Sequence, residues 1–322
     1  MITGLGFSVP DKVLTNADLE KIVDTSDQWI VERTGMRERR IGEQGVLTSD
    51  LCSDAARKAM DEAKIDPGDL DVIIVGTVTG DVQFPSTACY IQDNLNAVNA
   101  AAFDISAACS GFLYGLTIAD NFIASGKYKN ILVIGGEMLS RITDYEDRRT
   151  CVLFGDGAGA AILQPSDGTR GIVKTFMKSD GHLADLLYMP GGGSKHPASN
   201  ETVEKRLHYI KMAGQEVFKA AVKSMGDAAS QMLKDTKTTT KELDLLIPHQ
   251  ANIRIIDATA RRIRLPKEKV FINVDRYGNT SAASIPIAMA EARDMGRLKH
   301  DDLCLLVSFG GGFTFSAVLF KY

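Results

Sequence analysis

Residues 70–75 have the sequence Leu-Asp-Val-Ile-Ile-Val, and residues 243–247 repeat the pattern as Leu-Asp-Leu-Leu-Ile. A second match follows in the same order. The apolar run that ends at Asp104 resembles residues 270–275, Val-Phe-Ile-Asn-Val-Asp, and in both cases a turn rich in small residues comes next. The two matches have nearly the same spacing, about 170 residues. Ordered matches at a constant offset indicate an internal duplication.

A third match has the same offset. Gly126-Lys127 precedes the apolar run 131–134, and Gly296-Arg297 precedes the apolar run 303–307. We therefore predict two similar α/β halves: residues 1–164 with the candidate nucleophile described below, and residues 165–322 with its candidate partners.

Continuously apolar strand patterns alternate with helical patterns in each half. In Ser49–Lys64, for example, Leu51, Ala55 and Ala59 recur at helical spacing. Continuously apolar strands are usually buried on both faces between helices. Two such halves side by side predict a five-layered αβαβα sandwich. The glycine-rich segment 178–207 is predicted to join or cap the halves.

Composition limits the class of protein. The chain has 322 residues, 44% hydrophobic and 24% charged, with 37 basic and 41 acidic side chains. The net charge of −4 supplies no global positive field for nucleic acid. The uncharged run 303–320 is interrupted by serine, threonine and three glycines, so it predicts two buried strands joined by a glycine turn and no membrane span.

The five cysteines are widely spaced, with neither a Cys-x-x-Cys pair nor a nearby histidine at zinc-ligand spacing. This pattern predicts free thiols in a reducing cytoplasm and no metal site. The first residues have neither the basic nor the apolar region of a signal peptide, so we expect no secretion signal.

Three polar residues follow predicted strands, where α/β sheets commonly place their sites. Cys109 lies in Ala-Ala-Cys-Ser-Gly at the junction of a strand and a helix, where a helix N-terminus is expected to lower the pKa of its thiol. His249 lies in Pro-His-Gln-Ala-Asn, and Asn279 in Tyr-Gly-Asn-Thr-Ser-Ala-Ala. The duplication places the turns of Cys109 and Asn279 at related positions, and all three residues are predicted to meet in one cleft.

Each of the three also has a purely structural interpretation. A lone cysteine is often a small buried hydrophobe, a histidine can be satisfied in a loop, and asparagine commonly supplies a turn. The occurrence of all three at strand ends within a duplicated frame favours a site.

The chain resembles the β-ketoacyl-acyl carrier protein synthases III, condensing enzymes of the thiolase superfamily. The resemblance runs nearly end to end. It rests on the three motifs above and on Ser26-Asp27-Gln28-Trp29-Ile30, Arg33-Thr34-Gly35, Phe84-Pro85-Ser86, Phe154-Gly155-Asp156-Gly157-Ala158-Gly159-Ala160 and Phe309-Gly310-Gly311-Gly312-Phe313. In that family a Cys-His-Asn triad performs decarboxylative condensation, and Cys109, His249 and Asn279 match it.

The resemblance implies a thiolase-like fold and an enzyme that condenses a short acyl-CoA primer, acetyl-CoA first among the candidates, with malonyl-acyl carrier protein. Acyl-CoA is then a substrate, and no cofactor is implied. It also implies an oxyanion hole from the backbone N–H groups of Cys109 and Gly311, and a homodimer in which Phe84 closes the partner's acyl pocket.

Further site residues are carried over from the family in the same way. The CoA contacts are Thr25, Trp29, Arg33, Arg148, Met212, Gly214, Phe218 and Asn252, with Trp29 and Arg148 on either side of the adenine. The acyl pocket includes Phe84 and Phe309. The carrier-protein contacts are Lys219, Gln250, Arg254, Arg261 and Arg262.

Charge independently supports an acidic partner protein. Residues 252–270 hold six basic and two acidic side chains, and Arg254, Arg261 and Arg262 fall on one helical face. A solvated basic helix is the structural alternative.

Three other functions are weighed against the condensing enzyme. A related acyltransferase or a specialised ketosynthase of secondary metabolism would share the motifs and stays open. A papain-like protease would have Cys-Gly-Ser-Cys-Trp around its thiol, and a non-catalytic homologue would be expected to lose part of the triad; neither description fits.

Overall fold

The computed structural model describes residues 1–166 and 168–322. The strands in chain order are β1 (Ile2–Ser8), β2 (Val13–Thr15), β3 (Glu38–Arg40), β4 (Val72–Gly76), β5 (Ala101–Ile105), β6 (Ile131–Met138), β7 (Asp156–Leu163), β8 (Gly171–Ser179), β9 (Leu187–Tyr188), β10 (Lys211–Met212), β11 (Leu245–Pro248), β12 (Leu303–Gly310) and β13 (Thr314–Lys321). The α-helices are α1 (Asn16–Leu19), α2 (Asp27–Thr34), α3 (Thr48–Ala63), α4 (Thr87–Asn94), α5 (Gly111–Ala124), α6 (Asn200–Glu204), α7 (Gly214–Thr236), α8 (Ile253–Arg262), α9 (Val274–Tyr277) and α10 (Ser284–Asp294).

Two sheets repeat one topology. The first has the order β1-β7-β6-β4-β5, and the second has the order β8-β13-β12-β11. In the first sheet β4 runs parallel to β6, and β6-β7-β1 are antiparallel. The second sheet repeats this with β11 parallel to β12 and with β12-β13-β8 antiparallel. The predicted duplication is confirmed in the strand pairing, while the boundary at residue 164 stays a prediction.

The second sheet has no full counterpart of β5. The sequence predicts a strand over 270–274, but only Val270 forms a bridge, to Leu246, and α9 begins at Val274. The side-chain amide of Gln250 supplies hydrogen bonds that a strand neighbour would otherwise make. It donates to Phe271 O at 3.2 Å, and its oxygen accepts from Asn273 N at 3.0 Å. These backbone groups therefore have hydrogen-bond partners although the segment does not pair with β11 along its length.

Three hydrophobic clusters lie between the five layers and pack them together. One packs α3 and α4 on the first sheet, a central one packs α5 and α10 between the sheets, and the third packs α7 and α8 on the second sheet. The side chains of β4 illustrate the layering: Val72 and Ile74 enter the central cluster, and Ile73 and Val75 enter the outer one. Both faces of the strand are buried, as its continuous apolar pattern predicts. The five-layered sandwich is confirmed.

Glycines let the central layer pack backbone against backbone. A Cβ on Gly135 of β6 would lie 2.1 Å from the carbonyl oxygen of Ala282, in the turn before α10. A Cβ on Gly76, at the end of β4, would lie 2.6 Å from the carbonyl carbon of Gly111, which begins α5. These contacts draw the turns that precede α5 and α10 towards the first sheet.

The apolar run 303–320 forms two strands joined by a glycine turn, as predicted. Strands β12 and β13 are antiparallel, with Gly310 opposite Thr314 across the glycine turn. In the part of the chain that the structure describes, no helix combines the length and the apolarity needed to cross a bilayer. Segment 178–207 contains β9 and α6, and Leu187 packs against the cluster beneath α7.

We expect Gly135→Ala to lower the free energy of unfolding by about 1–3 kcal/mol, because the new methyl group has to displace the Ala282 backbone. Urea denaturation measures the change. Gly68→Ala is the matched control, since a Cβ at Gly68 meets nothing within 4 Å. Equal stabilities for the two variants would contradict the requirement for close backbone contact.

Candidate active site

Cys109 lies in a 3₁₀ turn, Ala108–Ser110, between β5 and α5. Ala108 has a φ of +46°, in the left-handed region that residues with a Cβ seldom adopt. The Thr314 hydroxyl of β13 donates to Ala107 O at 2.8 Å, and the Ser110 hydroxyl donates to Thr314 O at 3.2 Å. The second half of the chain thus holds the nucleophile turn of the first half in a strained conformation.

The thiol of Cys109 is only 8% exposed, and burial raises its pKa to about 12. The prediction that the helix N-terminus lowers this pKa is therefore wrong. Burial outweighs the favourable contribution because the sulfur lies away from water, which would solvate the thiolate. The side chain of Ser281 acts in the opposite direction and lowers the pKa of Cys109.

His249 follows β11 and is buried. Its backbone N–H donates to Val307 O at 2.8 Å, and its ring Nδ1 lies 2.6 Å from the Ser284 hydroxyl oxygen. Ser284 Oγ also lies 3.4 Å from the backbone N–H of Gln250, which can only donate. The serine proton is therefore free to point at Nδ1, which leaves the histidine proton on Nε2.

The outward nitrogen of this histidine has no partner. Nε2 of His249 is buried without a hydrogen bond among the described residues, and burial lowers the pKa of His249 to about 3. The ring is neutral at physiological pH, and its single N–H lies on a buried nitrogen that makes no hydrogen bond to the described residues. A buried, unpaired donor is costly to keep, so it marks a position where a ligand oxygen belongs.

Asn279 has its amide oxygen occupied and its amide nitrogen available. Oδ1 accepts from the backbone N–H of Ser281 at 2.9 Å. Its backbone is tied to the strand-like segment before β7, with Asn279 N donating to Leu153 O at 2.8 Å and Gly155 N donating to Asn279 O at 3.0 Å. The side chain is therefore fixed as a hydrogen-bond donor, like His249.

The turn 279–284 contains one of the candidate residues and lies next to the other two. Ser281 lines the cavity together with Cys109, the backbone of the turn fixes Asn279, and Ser284 holds His249. Ser281 has a φ of +49°, close to the value at Ala108. Because the two positions are related by the duplication, the two halves supply two copies of one strained turn.

The glycine turn between β12 and β13 lies against the nucleophile. A Cβ on Gly310 would lie 2.7 Å from the backbone nitrogen of Cys109, and one on Gly311 would lie 2.9 Å from Leu187 O. Only glycine permits this approach at Gly310. The predicted oxyanion donors, the N–H groups of Cys109 and Gly311, thus belong to segments in direct backbone contact.

A cavity of about 400 Å³ opens beside the thiol. Cys109, Ser281 and Gly311 line it together with mainly apolar side chains, among them Leu139, Phe154 and Leu187. Such a cavity suits a short acyl chain next to a nucleophile.

The candidate nucleotide contacts lie together on the surface. The ring of Trp29 has the guanidinium of Arg148 at 5.0 Å and that of Arg33 at 5.8 Å from its centroid. The amide of Asn252 donates to Arg33 O at 2.9 Å and caps α8 by accepting from Arg254 N. Arg148 also donates to the carbonyl oxygen of Asp24.

The remaining CoA candidates surround the same region. Met212 lies in β10, Gly214 begins α7, and Phe218 lies one turn further along α7. Trp29, Met212 and Phe218 all pack against one hydrophobic cluster. The hydroxyl of Thr25 is buried and has no hydrogen-bond partner among the described atoms.

The two phenylalanines predicted for the acyl pocket differ in exposure. Phe84 is 86% exposed and lies outside the lining of the cavity beside Cys109. Phe309 is buried and packs edge-to-face on Phe313, with the ring centroids 5.0 Å apart. This chain alone therefore brings Phe309, but not Phe84, into its interior.

Four of the five predicted carrier-protein contacts are exposed. Arg254 lies over the ring of Phe218 at 4.9 Å, Arg262 pairs with Asp227 at 2.9 Å, and Arg261 and Lys219 face solvent. Gln250 is a correction: it is buried, and its amide is engaged by the backbone of residues 248, 271 and 273. It holds the segment after β11 and presents nothing to a partner.

Three further polar residues of the site are absent from the sequence predictions: Ser281, Ser284 and Glu137. Ser281 lies within the Asn279 motif and Ser284 follows it directly. Small serine side chains are common in turns, so the sequence alone does not distinguish them from ordinary turn residues. Glu137 had a readable signal, since it is a lone carboxylate at the end of the apolar run Ile-Leu-Val-Ile-Gly-Gly. Charged residues are rarely buried without a reason.

Comparison with known proteins matches the chain to one enzyme family. The family model "3-Oxoacyl-[acyl-carrier-protein (ACP)] synthase III" matches residues 103–181, and the model of its C-terminal part matches residues 233–322. The β-ketoacyl-[acyl-carrier-protein] synthase III of Caldanaerobacter subterraneus subsp. tengcongensis is 54% identical over 321 residues, which cover 100% of this chain and 97% of the relative.

Solved structures give the same result. The 3-oxoacyl-[acyl-carrier-protein] synthase III of Aquifex aeolicus VF5 is 51% identical with a TM-score of 0.92, over 100% of this chain and 99% of that one. The priming β-ketosynthase of the R1128 polyketide pathway is 33% identical with the same TM-score, over 99% and 95% of the two chains.

We expect the buried His249 to make folding stability depend on pH. Because its pKa falls from 6.5 to about 3 on folding, the unfolded chain binds the proton more tightly. The contribution is complete above pH 6.5 and is lost as the pH falls, by about 2 kcal/mol between pH 7 and pH 5. Urea denaturation of the wild type and of His249→Gln at both pH values measures it. An equal pH dependence in the two proteins would contradict a neutral, buried ring.

Proposed function

Since the chain belongs to the 3-oxoacyl-[acyl-carrier-protein] synthase III family, we propose that Cys109 carries the acyl group that this condensing enzyme transfers. The enzyme is an acyltransferase that begins fatty acid synthesis. The reaction joins a short acyl-CoA primer, acetyl-CoA in this proposal, to malonyl-acyl carrier protein and yields a β-ketoacyl-carrier protein, carbon dioxide and CoA.

The first stage is acyl transfer to the thiol. The sulfur of Cys109 attacks the thioester carbonyl, the bond to the CoA sulfur breaks, and a new thioester of similar energy forms. The backbone N–H groups of Cys109 and Gly311 are the proposed donors to the tetrahedral oxyanion. The close contact of Gly310 with the Cys109 backbone supports this assignment.

The second stage is decarboxylative condensation. Malonyl-carrier protein loses carbon dioxide, and the electron pair of the breaking bond forms an enolate whose carbon attacks the acyl-Cys109 carbonyl. The bond between that carbonyl and the Cys109 sulfur then breaks, which releases the β-ketoacyl-carrier protein and regenerates the thiol. His249 Nε2–H and the Asn279 amide are the proposed donors to the enolate oxygen. The observation that carries this proposal is the buried Nε2 of His249, which has no partner. A neutral donor stabilises the enolate without protonating it.

The proposed reaction needs neither a metal nor a redox cofactor. The malonyl carboxylate supplies the electron pair for the new carbon–carbon bond, and the thioesters supply the leaving groups. Acyl-CoA therefore acts as a substrate. For the CoA moiety, we propose that Trp29 and Arg148 hold the adenine, with Thr25 and Arg33 nearby. Stacking of an indole against guanidinium groups supports this arrangement. The pantetheine is proposed to pass the four remaining CoA candidates, which are Met212, Gly214, Phe218 and Asn252.

We also propose a cytoplasmic homodimer. Among the described residues, no strand pairs with the outer side of the edge strand β5, and the exposed apolar side chains of Phe84, Val82 and Val98 lie in the segments around it. A second copy paired there would cover this surface, and Phe84 is proposed to complete the partner's acyl pocket. The five free cysteines support a reducing compartment.

A specialised ketosynthase is the second candidate. Its support is the 33% identity to the R1128 priming β-ketosynthase. The identities of 51–54% to enzymes named as synthases III favour the primary role. The two candidates differ in the acyl group that they accept, so a competition among acyl-CoA thioesters separates them.

We expect a single acyl adduct on Cys109 when the enzyme meets acetyl-CoA, and we expect malonyl-acyl carrier protein to discharge it as acetoacetyl-carrier protein. Intact-protein mass spectrometry follows both stages, with Cys109→Ala as the blank. Asn279→Ala should still form the adduct but discharge it about 100-fold more slowly, since one donor to the enolate is lost. An adduct that malonyl-carrier protein does not discharge would support the acyltransferase alternative.

We expect Arg261→Glu to raise the KM for malonyl-acyl carrier protein about tenfold and to leave the KM for acetyl-CoA unchanged. Reversal of one exposed charge on α8 weakens the attraction of an acidic partner but leaves the acyl site intact. Lys127→Glu is the matched control, because Lys127 lies past the end of α5 that is remote from Cys109. Steady-state kinetics at low salt measure both KM values. Equal shifts in the two would contradict the proposal that the carrier protein docks on the exposed basic face of α8.

A further inference from the structure

Arg39 of β3 is fully buried, and the reaction above does not use it. Its three hydrogen bonds within the described part of the chain all go to neutral amide oxygens. Nη1 donates to Leu14 O at 3.2 Å and to Asn16 Oδ1 at 2.9 Å, and Nη2 donates to Val152 O at 2.8 Å. Nε is buried and has no partner among the described atoms. A buried guanidinium that binds only neutral oxygens is costly to keep, which indicates that those oxygens need it.

Val152 belongs to the segment that fixes the backbone of Asn279. The carbonyl oxygen of the next residue, Leu153, accepts from Asn279 N at 2.8 Å. Two residues further along, Gly155 N donates to Asn279 O at 3.0 Å. The hydrogen bond from Arg39 is therefore adjacent in the chain to the two that hold Asn279. A shift of this segment would move the Asn279 backbone with it.

The side chain of Arg39 also packs directly against both of the segments that meet at Asn279. A Cβ on Gly155 would lie 3.1 Å from the Cβ of Arg39. A Cβ on Gly278, the residue before Asn279, would lie 3.2 Å from the same atom. Both distances are shorter than an ordinary van der Waals contact between carbon atoms, so a side chain at either glycine would press on Arg39. The arginine thus lies immediately behind the backbone that carries Asn279.

The guanidinium is itself anchored on a separate part of the chain. Asn16, which begins α1, is buried and accepts from Arg39 through its Oδ1. The Nδ2 of Asn16 donates to Met36 O at 2.9 Å and to Asp27 Oδ1 at 2.8 Å. The arginine is therefore held at one end by a fixed amide while its other end binds Val152. A side chain fixed in this way supports its neighbours with little freedom of its own.

We propose that Arg39 is a positioning residue that holds Asn279 in place for the condensation stage. The proposal rests on the function given above, in which the Asn279 amide donates to the enolate oxygen. Three hydrogen bonds set the orientation of Asn279: one from Ser281 N to its Oδ1, and two from its backbone to the segment that Arg39 binds. A donor stabilises a developing charge most when it is aimed in advance. The loss of Arg39 should therefore slow the stage that uses Asn279 and leave the acylation of Cys109 nearly unchanged.

The test measures the two stages separately in the wild type, Arg39→Met and Arg39→Lys. Rapid-quench mass spectrometry at saturating acetyl-CoA gives the rate of acyl transfer to Cys109, and a chase with malonyl-acyl carrier protein gives the rate of discharge. We expect Arg39→Met to discharge about tenfold more slowly and to acylate within about twofold of the wild type, because methionine fills the site but leaves Val152 O without this donor. Arg39→Lys keeps one charged donor group, so its discharge rate should lie between the two.

A double variant distinguishes positioning from general damage to the structure. If Arg39 acts through Asn279, then Arg39→Met adds no further slowing to the discharge rate of Asn279→Ala. Independent damage to the site would instead multiply the two effects, and that result would overturn the proposal. Equal slowing of acylation and discharge in Arg39→Met alone would overturn it as well.

Arg293→Met is the matched control. Arg293 also donates to a backbone carbonyl, Leu5 O at 2.8 Å, but it lies at the end of α10 that is remote from Asn279. We expect this variant to lower the thermal stability without changing the discharge rate. All rates are measured at a temperature where thermal unfolding shows the variant folded. If Arg39→Met does not fold, Arg39→Lys carries the same comparison, alone and combined with Asn279→Ala.

The inference and the proposed function can fail separately. A wild-type enzyme that forms no adduct on Cys109 would remove the proposed function. A wild-type discharge rate in Asn279→Ala would remove the role of Asn279 and, with it, the role of Arg39. Slow discharge in Asn279→Ala together with wild-type rates in Arg39→Met would remove only the role of Arg39.

Discussion

Contact of backbone with backbone in the central layer is the constraint on which the site depends. Gly135 faces the Ala282 carbonyl, Gly76 faces Gly111, and Gly310 faces the Cys109 nitrogen, each at a distance that leaves no room for a Cβ. The turns that begin α5 and α10 are thereby drawn to the ends of β4, β6 and β12. Because these side chains are missing, the Cys109 turn of the first half and the turn before α10 of the second half can approach each other closely.

The duplication supplies the same strained turn twice, and the two copies have diverged in chemistry. Ala108 and Ser281 adopt nearly the same left-handed conformation at related positions. In the first copy, the left-handed Ala108 is followed directly by the thiol of Cys109. The second fixes an asparagine amide, supplies the hydroxyl of Ser281 and anchors His249 through Ser284. A left-handed residue with a Cβ costs about 1–3 kcal/mol, which the packing of the central layer has to offset twice.

Much of this arrangement could be predicted from the sequence, since it depends on patterns that repeat. The offset between residues 70–75 and 243–247 predicts two sheets, and the strand ends predict where Cys109 and His249 lie. Other features depend on packing in three dimensions. The segment 270–274 has the pattern of a strand but pairs with the amide of Gln250, and this same contact removes Gln250 from the docking surface. The state of the Cys109 thiol depends on how much water reaches it, which local sequence does not report.

That exclusion of water also protects the protein. Peroxide and other oxidants react with thiolates and convert an accessible one stepwise to sulfenic and then to irreversible sulfinic acid. Burial raises the pKa of the Cys109 thiol and so disfavours the thiolate. The enzyme therefore offers oxidants little thiolate. The apolar residues that line the proposed acyl cavity also shield Cys109, whose oxidation would inactivate the enzyme.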